Sequence, residues 1–211
     1  MRAMGLRESA GSKAFLANLW RDNPVFRQVL GICSTLAVTN LATNTLLMCA
    51  ALTFATALSN LTVSALRNHT PKQVRMMAQV LIIASYVIVA GFAMKAWFPE
   101  IHKLIGPYVG LIITNCILMG RCEAFAAKNP PWPAFLDGLG AGLGYSVVLI
   151  PIAAVREIMG FGTLLGLALP ARDLWWHQWT IMIMPTGAFF MLALVVWLCN
   201  HLVRPQGGGP A

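Results

Sequence analysis

Long apolar runs separated by short polar stretches dominate the chain. Six such runs, called segments I to VI below, lie at residues 25–41, 43–66, 76–97, 106–120, 134–155 and 181–203. A helix needs about 20 apolar residues to cross the hydrocarbon layer of a bilayer. Segments II, III, V and VI meet that length, whereas segments I and IV are shorter and interrupted by polar residues. The pattern predicts an all-α integral membrane protein with six transmembrane helices, of which I and IV are short and interrupted.

The stretches between these segments are too short to build a core of their own. We therefore predict a cytoplasmic N-terminal segment at 1–24, a single transmembrane domain at 25–203 and a cytoplasmic tail at 204–211. Composition agrees, because 58% of the residues are hydrophobic and only 10% are charged, against about 25% charged in soluble domains. Residues 1–24 have no continuous apolar run, so we expect no cleavable signal peptide.

The net charge of +8 does not indicate a nucleic-acid-binding protein. The fifteen Lys and Arg residues lie between the apolar segments and form no basic stripe along a helix. If the connections alternate across the membrane, eleven of the fifteen share the side of the N-terminus and four lie opposite. The positive-inside rule then places both termini in the cytoplasm.

Segments I and IV resemble each other. Each contains Gly and Thr and one central cysteine, Cys33 or Cys116, and each opens a set of three segments. Three crossings per set make the second set start from the opposite side of the membrane. Short helices in matching positions are typical of inverted repeats and mark their functional centre. We therefore predict two inverted three-helix repeats with Cys33 and Cys116 near one point.

Two cysteines suggest metal chemistry but do not complete a site. Thiolates are soft ligands suited to iron–sulfur clusters or copper. A [2Fe–2S] cluster held by four thiolates would need two more from a partner chain of similar build. The alternative is that a membrane cysteine is only a small apolar residue, which we assume for Cys49, Cys122 and Cys199. From the residues alone, both interpretations stay open for Cys33 and Cys116.

Asp137 is a carboxylate at the boundary of segment V. An acid within a membrane segment predicts an ion pathway, and the alternative is a helix N-terminal residue favoured by the helix dipole. Glycines spaced by four, Gly138/Gly142 and Gly140/Gly144, predict a smooth face for close helix packing. Glu123 is close enough in sequence to Arg121 to pair with it. We find no sequence motif for a complete active site, so catalysis would depend on partner chains.

Several short motifs resemble one known family. They are Leu30–Cys33, Ala37–Thr39, Ser59–Leu61, Ile113–Cys116, Gly120–Ala124, Leu136–Gly138 and Val155–Glu157. The family contains the E subunit of the Rnf electron transport complex and the D subunit of the sodium-translocating NADH:quinone oxidoreductase. The resemblance extends over roughly residues 19–203.

The resemblance implies a subunit of a redox-driven ion translocase in the bacterial inner membrane. It implies pairing with a homologous membrane subunit of opposite topology. A [2Fe–2S] cluster would lie at their interface, with Cys33 and Cys116 as this chain's ligands and two cysteines from the partner. The cluster would pass electrons between flavins bound to other subunits.

The motifs divide between the two complexes of the family. Residues 19–24 and 185–189 look more like the Rnf subunit, and residues 89–92 lack the acid common in the sodium pump. Residues 144–149 and 160–166 look more like the sodium pump. The sequence favours Rnf, in which electron transfer between NADH and ferredoxin or flavodoxin is coupled to H⁺ or Na⁺ movement. The sodium pump is the alternative, and a small secondary transporter is a third hypothesis.

The charge distribution makes a topological prediction. A reporter fused after Ala211 should show a cytoplasmic location, because the excess of Lys and Arg holds that side of the chain in the cytoplasm. A periplasmic signal from the same fusion would show that the number of crossings or the orientation is wrong.

Overall fold

A computed structural model of the chain describes residues 15, 23, 25, 30–71, 73–97, 110–164, 167–168 and 184–203. The predicted tail at 204–211 and most of the predicted segment at 1–24 lie outside the described residues. So do residues 26–29 of segment I, 106–109 of segment IV and 181–183 of segment VI.

The described chain is helical. Its helices are α1 (Ile32–Val38), α2 (Ala42–Leu66), α3 (Arg75–Trp97), α4 (Cys116–Arg121), α5 (Pro131–Phe161) and α6 (Pro185–Val203), and a π-helical turn (Cys122–Ala126) continues α4. A two-residue antiparallel hairpin, β1 (Thr163–Leu164) and β2 (Leu167–Ala168), follows α5. The all-α prediction is therefore confirmed apart from this hairpin.

Three helices in the described part of the chain are long and apolar enough to cross a membrane: Ala42–Leu66, Arg75–Trp97 and Pro131–Gly160. They coincide with segments II, III and V. The apolar stretch of α6, Pro185–Leu198, is shorter. α5 extends past the predicted range of segment V at both ends. Pro131 starts it, where a missing N–H costs nothing, and Gly162 ends it with a left-handed φ of 65°.

Segments I and IV are interrupted, as predicted. In segment I, Gly31 has a φ of 82°, and α1 begins directly after it. An L-residue with a side chain rarely adopts that backbone conformation. In segment IV, residues 110–113 are helical, the helix stops at Thr114 and Asn115, and α4 starts at Cys116. Each cysteine therefore lies on a short helix that follows a break.

The antiparallel pair of α2 and α5 forms the centre of the fold. A Cβ atom added to Gly142 would lie 2.7 Å from Thr53 Cα, and one added to Gly138 would lie 2.8 Å from the carbonyl oxygen of Thr56. Only the absence of side chains at these glycines allows the backbones to come so close. The predicted close-packing face at Gly138/Gly142 is thus confirmed, with α2 as the partner.

The second glycine pair faces the start of the chain instead. A Cβ atom on Gly140 would lie 3.0 Å from the backbone of Phe15. The side-chain amide of Asn23 donates a 2.9 Å hydrogen bond to the carbonyl oxygen of Gly144, and Asn23 is fully buried. Packing against α5 therefore begins before the predicted domain boundary at residue 25.

The glycine face predicts an overpacking defect. Gly142→Ala should destabilise the protein by about 1–3 kcal/mol, because its Cβ atom meets the backbone of Thr53 and the helices must separate. The measurement is the thermal unfolding midpoint in detergent. Gly120→Ala is the matched control, since its Cβ atom would meet only the side chain of Leu30, at 3.4 Å. Equal midpoints for the two variants would show that the close contact does not hold the pair together.

Candidate functional site

The two candidate ligand cysteines differ from the others in exposure. Cys33 on α1 and Cys116 at the start of α4 are both exposed on the surface of the chain. Cys49 and Cys122 are buried, as expected for structural cysteines. The side chain of Cys199 lies outside the described residues. The structure therefore places Cys33 and Cys116 at the surface of the chain and Cys49 and Cys122 in its interior.

A buried hydrogen bond joins the two cysteine segments. Asn115, which precedes Cys116, donates from Nδ2 to the Oγ of Ser34, which follows Cys33, at 3.1 Å. The same Ser34 Oγ lies 2.6 Å from the hydroxyl of Tyr145 on α5 and donates to the carbonyl oxygen of Gly31 at 2.9 Å. Ser34, Asn115 and Tyr145 are each at most 4% exposed.

The hydroxyl of Ser34 sets the directions of these bonds. A serine hydroxyl has one proton to donate and two lone pairs to accept with. The proton of Ser34 goes to Gly31, so the lone pairs accept from Asn115 and from the Tyr145 hydroxyl. The hydroxyl of Ser34 is then fully satisfied, and it connects segment I, segment IV and α5 at one buried point.

The breaks in segments I and IV allow this contact. Asn115 caps α4, since its Oδ1 accepts from the backbone N–H of Ile117 at 3.0 Å, while its side-chain amide nitrogen reaches Ser34. Gly31 provides the room, because a Cβ atom there would lie 2.7 Å from the side chain of Ile117 and 3.0 Å from Tyr145. The close approach of the two cysteine segments therefore depends on Gly31 and Asn115.

The donor set fits half of an iron–sulfur site. Two exposed cysteines provide two soft thiolate ligands. Within the described ranges, no group of three or more His, Cys, Asp or Glu side chains could hold a metal ion. Cys33 and Cys116 are therefore candidate ligands whose chemistry suits an iron–sulfur cluster.

A pair of charged residues near the end of α5 holds the start of α2. Glu157, fully buried, accepts from the backbone N–H of Ala42 through Oε2 at 2.8 Å. Arg156 donates to the hydroxyl of Thr39 and, at 3.2 Å, to the carbonyl oxygen of Met184. Thr39 in turn donates to the carbonyl oxygen of Thr35 at 2.6 Å. Arg156 and Glu157 thereby fix the end of the helix that carries Cys33.

Asp137 forms a buried ion pair with Arg121. Arg121 donates from Nε to Oδ2 of Asp137 at 3.1 Å, and its Nη2 contacts Oδ1. Asp137 is fully buried and Arg121 is 8% exposed. Asp137 lies almost two turns beyond Pro131, so the interpretation as a helix N-terminal residue is wrong.

Glu123 has other partners than the sequence suggested. It accepts from Nε2 of Gln79 at 2.8 Å and lies 3.7 Å from Nη1 of Arg75. The expected pairing with Arg121 is replaced by the Arg121–Asp137 pair. The reason is geometric, since residues two positions apart on a helical turn do not face each other.

Five residues that support the site were not predicted as site residues from the sequence: Ser34, Asn115, Tyr145, Arg156 and Glu157. Ser34 and Tyr145 lay in apolar segments with nothing to distinguish them from packing residues. Asn115 and the Arg156–Glu157 pair belonged to motifs shared with the family, and a polar residue in an apolar context was the available signal.

Comparisons with known proteins agree over nearly the whole chain. The family described as "Rnf-Nqr subunit, membrane protein" matches residues 12–196. The D subunit of the Na(+)-translocating NADH-quinone reductase of Pseudoalteromonas atlantica is 47% identical over 197 residues, which is 92% of this chain and 93% of that protein. The protein of the same name from Aeromonas salmonicida is 46% identical over 193 residues, or 90% and 92%. These relatives favour the sodium-pump alternative over the Rnf interpretation.

The Arg121–Asp137 pair predicts a loss of stability on neutralisation. Asp137→Asn leaves Arg121 charged and buried without its carboxylate, which should cost about 3–5 kcal/mol and lower the thermal midpoint. Glu123→Gln is the control, because Glu123 is 47% exposed at its side chain and faces Arg75 at 3.7 Å, so its change should cost at most about 1 kcal/mol. An unchanged midpoint for Asp137→Asn together with lost ion translocation would instead make Asp137 an ion-pathway residue.

Proposed function

Because this chain belongs to the Rnf-Nqr family of membrane-protein subunits, we propose that it is the counterpart of the D subunit in a sodium-translocating NADH:quinone reductase. Relatives of that name are 46–47% identical over at least 90% of the chain. Such agreement along the whole length outweighs the short stretches, 19–24 and 185–189, that look more like Rnf. The complex would lie in the bacterial inner membrane with both termini of this chain in the cytoplasm.

In this proposal the chain supplies half of an electron relay inside the membrane. Cys33 and Cys116 provide two of the four thiolate ligands of a [2Fe–2S] cluster, and a homologous subunit of opposite topology provides the other two. The observation that carries the proposal is the buried hydrogen bond from Asn115 to Ser34. It links the residues next to two exposed cysteines, so the two short helices that carry the thiols are tied together before any partner arrives.

The contacts at the two ends of the α2–α5 pair support the proposal of two inverted repeats. Near the end of α5, Glu157 holds the junction between segments I and II. Near the end of α2, Asn60 accepts from the thiol of Cys122 at 3.2 Å, and Ser64 donates to the carbonyl oxygen of Asn129. These two residues hold the junction between segments IV and V. α5, in the second repeat, thus contacts the chain after the short helix of segment I, and α2, in the first repeat, contacts the chain after the short helix of segment IV. A two-fold axis in the membrane plane would relate these two sets of contacts.

The residues of the chain then have separate roles. The cluster, when bound, supplies one-electron transfer. Cys33 and Cys116 bind it, and Ser34, Asn115 and Tyr145 orient the two helices that carry them. The buried side chain of Ile117 excludes water behind the site. Flavins on other subunits would donate and accept the electrons, so this chain needs no complete active site.

The cysteine ligands can be tested by iron content. Cys33→Ala and Cys116→Ala should each remove the whole cluster from the purified complex, because alanine has no ligand atom and three thiolates do not complete the site. The measurements are iron per complex and the electron paramagnetic resonance signal of the reduced cluster. Weaker association of the partner is expected as well, since metal binding and assembly are coupled.

Cys49→Ala is the matched control, with Cys199→Ala beside it. Cys49 is buried in a long helix, so its change should leave the iron content as it is. Full iron content and an unchanged signal in both Cys33→Ala and Cys116→Ala would refute the shared cluster.

The enzyme activity of the purified complex distinguishes the alternatives. Sodium-stimulated quinone reduction by NADH is expected. Activity with ferredoxin and without quinone would assign the complex to Rnf. A chain that purifies alone and without iron would support the secondary-transporter hypothesis.

A further inference from the structure

A shallow surface cleft lies between the end of α2 and the start of α3, outside the cysteine site. Arg67, directly after α2, and Arg75, the first residue of α3, line it, and Val63, Ala78 and Ile82 form apolar walls. Most Lys and Arg residues of the chain lie on the side of the membrane to which the topology assigns this end of α2 and α3. With the topology proposed above, the cleft would lie at the level of the lipid headgroups.

The guanidinium groups of Arg67 and Arg75 have N–H donors that make no hydrogen bond to the described residues. Arg67 donates from Nη1 to the carbonyl oxygen of Lys128 at 3.1 Å. Arg75 lies 3.7 Å from Glu123 through Nη1, beyond hydrogen-bonding distance. A guanidinium carries five N–H donors, so most of the ten have no partner among the described residues. Both residues are only partly buried, so these donors remain open to a ligand that enters the cleft.

Positive charge exceeds negative charge around the cleft. Arg67, Arg75 and Lys128 lie at this end, and Glu123 is the acidic group that faces them among the described residues. Glu123 already accepts a hydrogen bond from Gln79 and cannot neutralise three cations. An anionic group in the cleft would use the free donors and balance the charge.

The walls of the cleft become apolar toward the membrane. Ile82 lies seven residues beyond Arg75, which is about 10 Å along α3, and Val63 is about one turn from Arg67 on α2. Beside the cleft, the outer face of α3 is apolar and exposed, with Met77 at 76% and Leu81 at 70%. A polar mouth above an apolar groove fits a molecule with a charged head and a hydrocarbon tail.

We propose that this cleft binds the phosphate of an anionic phospholipid, with an acyl chain lying along α3. Arginine recognises phosphate through paired, charge-assisted hydrogen bonds. Basic pockets between membrane helices on the cytoplasmic side bind anionic headgroups in this way. Inorganic phosphate offers the same oxygens but no tail, so the apolar walls favour the lipid. The site is independent of Cys33 and Cys116.

The test is lipid binding to the purified complex in detergent. Native mass spectrometry during titration with phosphatidylglycerol should show binding that weakens at least about tenfold in the double variant Arg67→Gln/Arg75→Gln, because hydrogen bonds to charged groups are lost. Lys95→Gln is the matched control, since Lys95 is an exposed cation at the opposite end of α3, and its binding should equal that of the unchanged protein.

Two further titrations identify the ligand. Phosphatidylcholine, which has no net charge, and inorganic phosphate should each bind far more weakly than phosphatidylglycerol. Equal binding of phosphatidylglycerol by the double variant, or equal binding of phosphatidylcholine or phosphate by the unchanged protein, would overturn the proposal. If the double variant does not assemble, displacement of a fluorescent phosphatidylglycerol from the unchanged complex decides, because only the anionic lipid should compete.

Discussion

The carboxylate of Glu157, bound to the backbone N–H of Ala42, shows the constraint under which the whole chain folds. Hydrocarbon offers no hydrogen bonds, so each backbone group within it needs a partner in the protein. Every helix start leaves four N–H groups without an intrahelical partner, and segments I and IV create such starts inside the fold. Glu157 satisfies one of them, and Asn115 satisfies another at Ile117. The start of α2, directly after the helix that carries Cys33, and the start of α4, which carries Cys116, depend on these side chains.

The polar contacts in turn depend on the close approach of α2 and α5. Glycines at 138 and 142 bring the two backbones together, and only then do side chains from the end of each helix reach the opposite junction. Glu157 reaches Ala42 at one end, and Asn60 reaches Cys122 at the other. Dense apolar packing in the middle and polar contacts at both ends are therefore parts of one arrangement.

Much of this fold could be predicted from hydropathy and spacing. The long helices α2, α3 and α5 follow from apolar length, and the glycine face follows from a spacing of four. The partner of Arg121 could not be predicted, because Asp137 is sixteen residues away whereas Glu123 is only two away. Sequence distance favours the near acid, but the direction of the side chains decides.

The sequence was enough to propose Cys33 and Cys116 as candidate ligands, but it did not identify the residues that hold their helices in place. The hydropathy pattern ends segment V at residue 155, because charged residues are costly in lipid. It gives no sign that Arg156 and Glu157 lie buried within α5. The bond between Ser34 and Tyr145 joins residues 111 positions apart, and neither has a distinctive local pattern. The assignment within the family had the same difficulty, because the short motifs divided between two complexes. Two relatives that match nearly the whole chain carry the name of one of them.

The length of chain between Ala42 and Glu157 has a consequence for biogenesis. The two residues are 115 positions apart, and a ribosome adds roughly 5–20 residues per second. The backbone N–H of Ala42 therefore has no capping carboxylate for on the order of 10 s after its synthesis. By contrast, Ser34 has already been synthesised when Asn115 emerges, so the hydrogen bond between them has no such delay. The first half of the nascent chain must spend that interval where water or the insertion machinery can hydrogen-bond to it, and it becomes fully compatible with lipid only when the second half has been made.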